Sequence, residues 1–176
     1  MGACARLYCS MPLVAFSSLP DDARVWVFGS ADELSPESEA ALLAAIDDYL
    51  GGWRAHGTPL TVGRDWRDAR FLAIGVDQRD EGASGCSLDA LFRVLQAMES
   101  RLGSSLLGNS RVYFRTRDGS VQVTDRAGFT AMGQSGAIGP DCQVFDLSVQ
   151  AAADWRHRFE TTAANAWHQA LLPATV

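Results

Sequence analysis

Apolar residues recur along the chain with two different periods, and the switches between them predict the order of elements. RVWVFG at 24–29 is β-branched and aromatic and closes on Gly29, which predicts a first strand. Ser35–Pro36 predicts a helix start, with Ser35 as N-cap, Pro36 at the first helical position, and Glu37 and Glu39 in the first turn. Leu42, Leu43, Ile46, Tyr49, Leu50 and Trp53 then recur at helical spacing and predict one buried stripe. Gly51–Gly52 weakens the last turn, and Gly57 with Pro59 ends the element. PLTVG and ARFLAIGVD predict further strands. The apolar run 71–76, ending at Asp77, fits a central strand buried on both faces.

A second helix is predicted from Ser87 to about Leu102, with Leu88, Leu91, Phe92, Leu95, Met98 and Leu102 on one side and Gly103 as the stop. RVYFRT and VQVT at 111–124 flank Asp118–Gly119 and predict a two-residue hairpin. In that register Phe114 and Thr116 face Val123 and Val121, while Arg115 and Arg117 share the other face with Gln122 and Ser120. A short helix near 126–133, a strand at 142–147 and a last helix near 151–159 complete the pattern. This order predicts an α+β fold, a mainly antiparallel or mixed sheet of about five strands with helices packed on one face. Residues 11–176 are expected to form a single domain behind a flexible extension at 1–10.

Composition narrows the functions open to such a domain. The chain has 176 residues, 47% hydrophobic, and a formal net charge of −6, an ordinary globule whose surface repels phosphate backbones and anionic lipid. Nucleic acid and membrane are therefore not the expected partners. All 15 basic residues are arginine. Without lysine there is no Walker A phosphate loop, no kinase ATP anchor and no Schiff base, so ATPase, kinase and Schiff-base chemistry are excluded. The four cysteines, Cys4, Cys9, Cys86 and Cys142, form no CxxC pair, and His56, His157 and His168 are scattered. No metal site and no cofactor are expected. The N-terminus lacks the ordered charged and apolar regions of a signal peptide, which points to a soluble cytoplasmic protein with reduced thiols.

Two adjoining features carry candidate chemistry. Cys86 opens the second predicted helix, where the dipole and unpaired N–H groups favour thiolate. A nucleophile there needs a base, and His56 is the candidate, with Asp77 at a strand end to orient it. The same loop, GASGCS at 82–87, can present backbone N–H groups to an anion, with Ser84, Gly85 and Ser87 as the cradle and Arg79 or Arg93 adding charge. Each feature also has a plain structural explanation, a small packed thiol and an ordinary serine cap. Arg111, Arg115 and Arg117 with Tyr113 are expected on a solvated face or a partner surface.

ARVWVFGS (23–30), WRAHGTPL (53–60), RFLAIGVDQ (70–78), ASGCSLD (83–89), VFD (144–146), RFETTAA (158–164) and WHQALL (167–172) together resemble a family of small bacterial proteins of unknown function. The resemblance runs from about Pro12 to Leu172. Members often carry the label "ABC transporter ATPase", which GASGCS cannot support, since it offers neither the lysine-bearing loop nor the signature motif. The resemblance implies a stand-alone bacterial domain with a usual start nearer Met11, and it carries over no catalytic residue.

The function these features favour is a soluble intracellular binding or interaction domain, with a protein partner or a second copy as possible occupants. The alternatives are a small thiol-dependent enzyme built on Cys86, and an anion or nucleotide binder built on the 82–87 loop.

Overall fold

The computed structural model describes residues 13–79, 81–108 and 110–173. The extension expected at 1–10 and the start near Met11 lie outside the described residues. In chain order the elements are β1 (Arg24–Gly29), α1 (Pro36–Gly51), β2 (Arg54–Ala55), β3 (Thr58–Pro59), β4 (Thr61–Arg67), β5 (Phe71–Asp77) and α2 (Gly85–Leu102). There follow β6 (Arg111–Arg115), β7 (Val121–Asp125), α3 (Arg126–Gln134), β8 (Gln143–Phe145), α4 (Ala152–His157) and β9 (Glu160–Thr162). Short 3₁₀ turns precede β1 and follow β9.

The α+β class is as expected, but the strands divide between two antiparallel sheets and a small β2–β3 hairpin. One sheet has the order β1-β5-β4 and the other β7-β6-β8-β9. The division follows from β5, whose residues 71–76 are all buried. A strand apolar on both faces needs a cover on each side. Helices α1 and α2 cover one face: Leu42, Ile46 and Leu50 with Leu91, Leu95 and Met98 pack on Phe28, Val62, Leu72 and Ile74. Each fully buried Leu or Ile there contributes about 2 kcal/mol. The opposite face, through Val25, Phe71 and Ala73, packs on Tyr113 and Phe145 of the second sheet. The outer face of that second sheet, Val112, Phe114 and Val144, is closed by Phe129 of α3 and by the C-terminal turns. Helices α1, α2 and α3 therefore lie outside the two sheets rather than on one face of a single sheet, while α4 packs Ala152 and Trp155 into the cluster between them.

Local signals set most element boundaries. Ser35 caps α1 by accepting the Ser38 N–H at 3.2 Å, with Pro36 following it. Gly103 ends α2 in the left-handed region at φ 66°. The β6–β7 hairpin forms where expected but one residue out of register. Phe114 pairs with Gln122, and Tyr113 with Val123. Thr116 N–H bonds the Ser120 carbonyl at 2.9 Å, so the loop holds three residues with Gly119 at φ 88°. The Asp118 carboxylate stabilises this longer turn by accepting from the Ser120 N–H and hydroxyl and from the Thr116 hydroxyl. Those bonds hold it well below the usual carboxylate range, the Thr116 bond foremost. A one-residue slip exchanges faces. Val121 and Val123 consequently pack with Tyr113 toward the first sheet, not with Phe114.

The packing of the two sheets also changes the reading of the arginine-bearing strand. Tyr113 is fully buried between the sheets, so its face is not solvated. Arg115 bridges the layers instead, pairing with Glu160 at 2.5 Å and with Asp68 in the β4–β5 turn at 3.1 Å.

Candidate functional site

The residues singled out in the sequence do not assemble into one cluster. Cys86 is exposed in the first turn of α2 and makes no hydrogen bond among the described residues. His56 and Gly57 are the two central residues of the β2–β3 turn, at φ 49° and 85°, the left-handed pair that a tight hairpin requires. The imidazole is exposed there, and no hydrogen bond joins it to Cys86 or Asp77. Asp77 turns to Arg79, which donates to it through Nε at 2.9 Å, NH2 at 2.5 Å and the backbone N–H at 3.1 Å. The Arg79 guanidinium holds the Asp77 carboxyl below its usual range.

The 82–87 loop forms a capped helix start. Ser84 Oγ accepts the Ser87 N–H at 3.4 Å, and the Ser87 hydroxyl donates back to the Ser84 carbonyl at 2.8 Å. The Tyr49 hydroxyl of α1 donates to the Ser87 carbonyl at 2.5 Å and ties this turn to the neighbouring helix. Gly85 faces open space, and Arg93 is exposed about 12 Å further along the helix axis. Alkylation separates this thiol from Cys142. With iodoacetamide at pH 8 the folded protein should label Cys86 fast and Cys142 slowly, since burial raises the Cys142 thiol above its ordinary range. Peptide mapping checks the order, and Cys86→Ala should alter stability by under about 0.5 kcal/mol.

The converging geometry lies elsewhere, along the outer edge of β1. The β1 strand is an edge strand of the first sheet, and its two ends are tied to the second layer. At one end the Val25 N–H bonds the Gln150 carbonyl at 2.9 Å, and the Ala152 N–H bonds the Ala23 carbonyl at 3.0 Å. At the other the Tyr113 hydroxyl donates to the Gly29 carbonyl at 2.7 Å, and Arg111 donates to the same oxygen at 3.3 Å. Gly29 allows that approach, because a Cβ there would lie 2.7 Å from the Tyr113 oxygen and 3.0 Å from Leu147. Between these ties the 147–149 segment diverges from β1 and leaves a cleft of about 600 Å³. That volume is within the range of small-ligand sites.

One wall of the cleft is the turn after α2, from Leu106 to Gly108, with Phe92 at the rim. Glu99 holds this turn, accepting from the Leu106 and Leu107 N–H groups at 2.6 and 2.7 Å and from the Ser105 hydroxyl at 3.0 Å. Burial pushes the Glu99 carboxyl up, but those N–H and O–H donors bring it below its ordinary value. Phe92 was expected on the buried stripe of α2. It is instead 38% exposed and packs edge-on against Phe28 at 5.8 Å, because it lies on the flank of the Leu91–Leu95–Met98 line.

Three arginines reach the cleft from three separate elements: Arg24 on β1, Arg111 on β6 and Arg126 on α3. None of them is in an ion pair among the described residues. No aspartate or glutamate among the described residues lines the cleft with them. Arg24 lies over Trp26 at 5.7 Å and Arg126 over Trp167 at 4.9 Å, so two of the charges are each backed by an indole face.

The chain matches no family model, no curated protein and no solved structure.

Among the described residues, no helix is long and apolar enough to cross a membrane, and no group of three or more His, Cys, Asp or Glu could hold a metal ion. A second hollow of about 980 Å³ lies between the β6–β7 turn and the 136–143 loop. It brings Arg117 together with Asp118 and Asp141, so its charges oppose one another. The β1 cleft was missed in the sequence because Arg24, Arg111 and Arg126 have no common spacing. Only the stacking of the two sheets brings them to one cleft.

Proposed function

We propose that the chain is an intracellular, non-catalytic binding domain that takes an anionic ligand into the cleft along β1. One observation carries this reading. In a chain of net charge −6, three arginines line one cleft, and no carboxylate among the described residues lines it with them. Positive charge on a cleft with apolar walls focuses its field on whatever enters and favours an anion there. Arg24 and Arg126 can donate to an anion while Trp26 and Trp167 offer flat apolar surface beside them. Thiol chemistry at Cys86 and anion binding on the 82–87 loop have no comparable convergence of groups. A cytoplasmic setting with reduced thiols belongs to the same proposal. Kinship with the small bacterial family that the sequence resembles belongs to the same proposal, and so does the exclusion of an ABC ATPase role.

The test uses 8-anilinonaphthalene-1-sulfonate, an aromatic anion, followed by its fluorescence. The protein should bind it at one saturable site, and added salt should weaken binding. Replacing Arg24 and Arg126 together by Gln should weaken it about tenfold or more, the loss of charge-assisted bonds. Arg111 is left in place because it also holds the Gly29 and Ser105 carbonyls. Arg54→Gln in the β2–β3 hairpin is the control and should change nothing. Equal affinity of the double variant and the unaltered protein would overturn the reading.

A further inference from the structure

The floor of the cleft is backbone, and that specifies the shape of its ligand. Trp26 and Phe28 pair with Ile74 and Leu72, and the Ser30 N–H bonds the Arg70 carbonyl, so the even-numbered residues of this stretch bond toward β5. In an antiparallel ladder the residues between them point their N–H and C=O the other way. Val25 does so, since its N–H bonds Gln150, and Gly29 does so, since its carbonyl takes Tyr113. Val27 must point the same way, into the cleft. Its N–H and C=O, and the Val25 C=O, meet no protein partner among the described residues. All six residues of β1 line the cleft, from both faces of the strand, which places the cleft along the strand's edge.

We infer that the ligand is an extended acidic peptide segment that adds to β1 as a further strand, bonding Val27 and pairing its carboxylates with Arg24 and Arg126. The inference rests on the cleft reading above and goes one step further, from an anion to a strand. An open edge between two closed ends supplies main-chain bonds that any extended segment can use, and the side-chain environment selects among segments. From Val25 to Gly29 the edge is about 13 Å long, room for four or five residues of extended chain. The arginines select for acid. Phe92 and Leu107 on one side, and Leu147 and Val149 on the other, offer apolar contacts to side chains that alternate between the faces of the strand. The indole-backed arginines and the edge thus call for one ligand pattern, acidic and apolar residues in alternation. The edge is also short and flanked by charge, features that discourage pairing with a second copy.

The test uses a fluorescein-labelled peptide of alternating valine and glutamate, measured by anisotropy against the full chain. It should bind, and the Arg24→Gln/Arg126→Gln variant should bind it at least about tenfold more weakly. Two further peptides carry N-methyl groups, one on every valine amide and the other on every glutamate amide. Residues of one parity bond β1 and those of the other point away. One methylated peptide should therefore lose about tenfold or more, while the other stays within about twofold. Val27→Pro removes the inward N–H of the edge without touching the β5 ladder and should weaken the parent peptide similarly, with the circular dichroism of the folded protein kept. If that variant does not fold, the methylated pair decides alone. Arginine-dependent binding with no difference between the two methylated peptides would overturn strand addition and leave the anion-binding cleft standing. Binding of neither peptide nor dye in an arginine-dependent way would overturn both. A dimer by sedimentation that Val27→Pro dissociates, with no peptide bound, would assign the edge to a second copy and overturn the peptide.

Discussion

Replacing Phe71 by alanine should lower the stability of the protein by about 3–5 kcal/mol, the largest effect of any single change considered. Phe71 is fully buried at the start of β5 and faces the second sheet. Its ring meets Phe145 at 4.6 Å, Tyr113 at 5.1 Å and Phe159 at 5.1 Å. Tyr113 and Phe145 belong to the second sheet, and Phe159 precedes β9. The alanine variant loses transfer energy and leaves a void among aromatic rings held on rigid strands, where collapse is difficult. Because the cavity opens between the layers, the Gly29–Tyr113 tie should loosen as well. Urea unfolding measures the loss. Dye binding by the still-folded fraction should weaken too, since one end of the cleft depends on that tie. A loss below about 1 kcal/mol would mean that the layers are held together by something other than this aromatic cluster.

The second large effect depends on pH. His168 is fully buried, stacked on Trp167 at 3.9 Å with Phe129 at 5.9 Å, and neither ring nitrogen has a hydrogen-bond partner among the described residues. Burial drives its pKa down to about 4; Asp146 opposes the shift and Arg126 reinforces it. In the unfolded chain an imidazole titrates near 6.5. The unfolded state therefore binds the proton first as pH falls. The stability associated with neutral His168 is complete above about pH 6.5 and is lost progressively toward pH 4. Between pH 7.5 and pH 5 the loss should reach about 2 kcal/mol. His168→Phe keeps an aromatic ring in the stack and cannot be protonated. Its unfolding free energy should fall less over that interval, by the same 2 kcal/mol or so, while carboxylate contributions common to both proteins cancel. Identical pH slopes for the two proteins would show that His168 is hydrated or bonded in the folded state. The residue also stands directly behind Trp167, a wall of the cleft, so acidification should loosen that wall before the first sheet is affected.

Much of this architecture was legible along the chain. The period-2 and period-3.6 runs placed β1, α1, β4, β5, α2, the β6–β7 hairpin and α3 within a few residues of where they lie, because each run is long or bounded by strong punctuation. The Ser35–Pro36 start and the Gly103 stop act within a single turn, so local residues determine them. The double burial of β5 was equally plain, since an apolar run has no solvent side. The α+β class follows from that order of elements. The lysine-free composition leaves this sequence no amine for a Schiff base or a Walker A loop, because a missing functional group cannot be restored by folding.

What only the tertiary structure decided begins with the hairpin. Asp118–Gly119 marks a turn, but whether the loop has two residues or three depends on side-chain bonds from Asp118 to Thr116 and Ser120, and that single residue settles which face of β7 meets the core. Which strands join which sheet was also invisible, since pairing is set by covering both faces of β5 and not by any local preference. His56 read as a candidate base near a helix end and lies in a hairpin turn, where its backbone conformation matters more than its imidazole. The cleft along β1 is the furthest from the sequence. Its arginines are separated by more than a hundred residues at the extremes, and its floor consists of backbone groups that every residue possesses. Their direction and their want of partners arise only when two sheets are tied at both ends of one edge strand and held apart between.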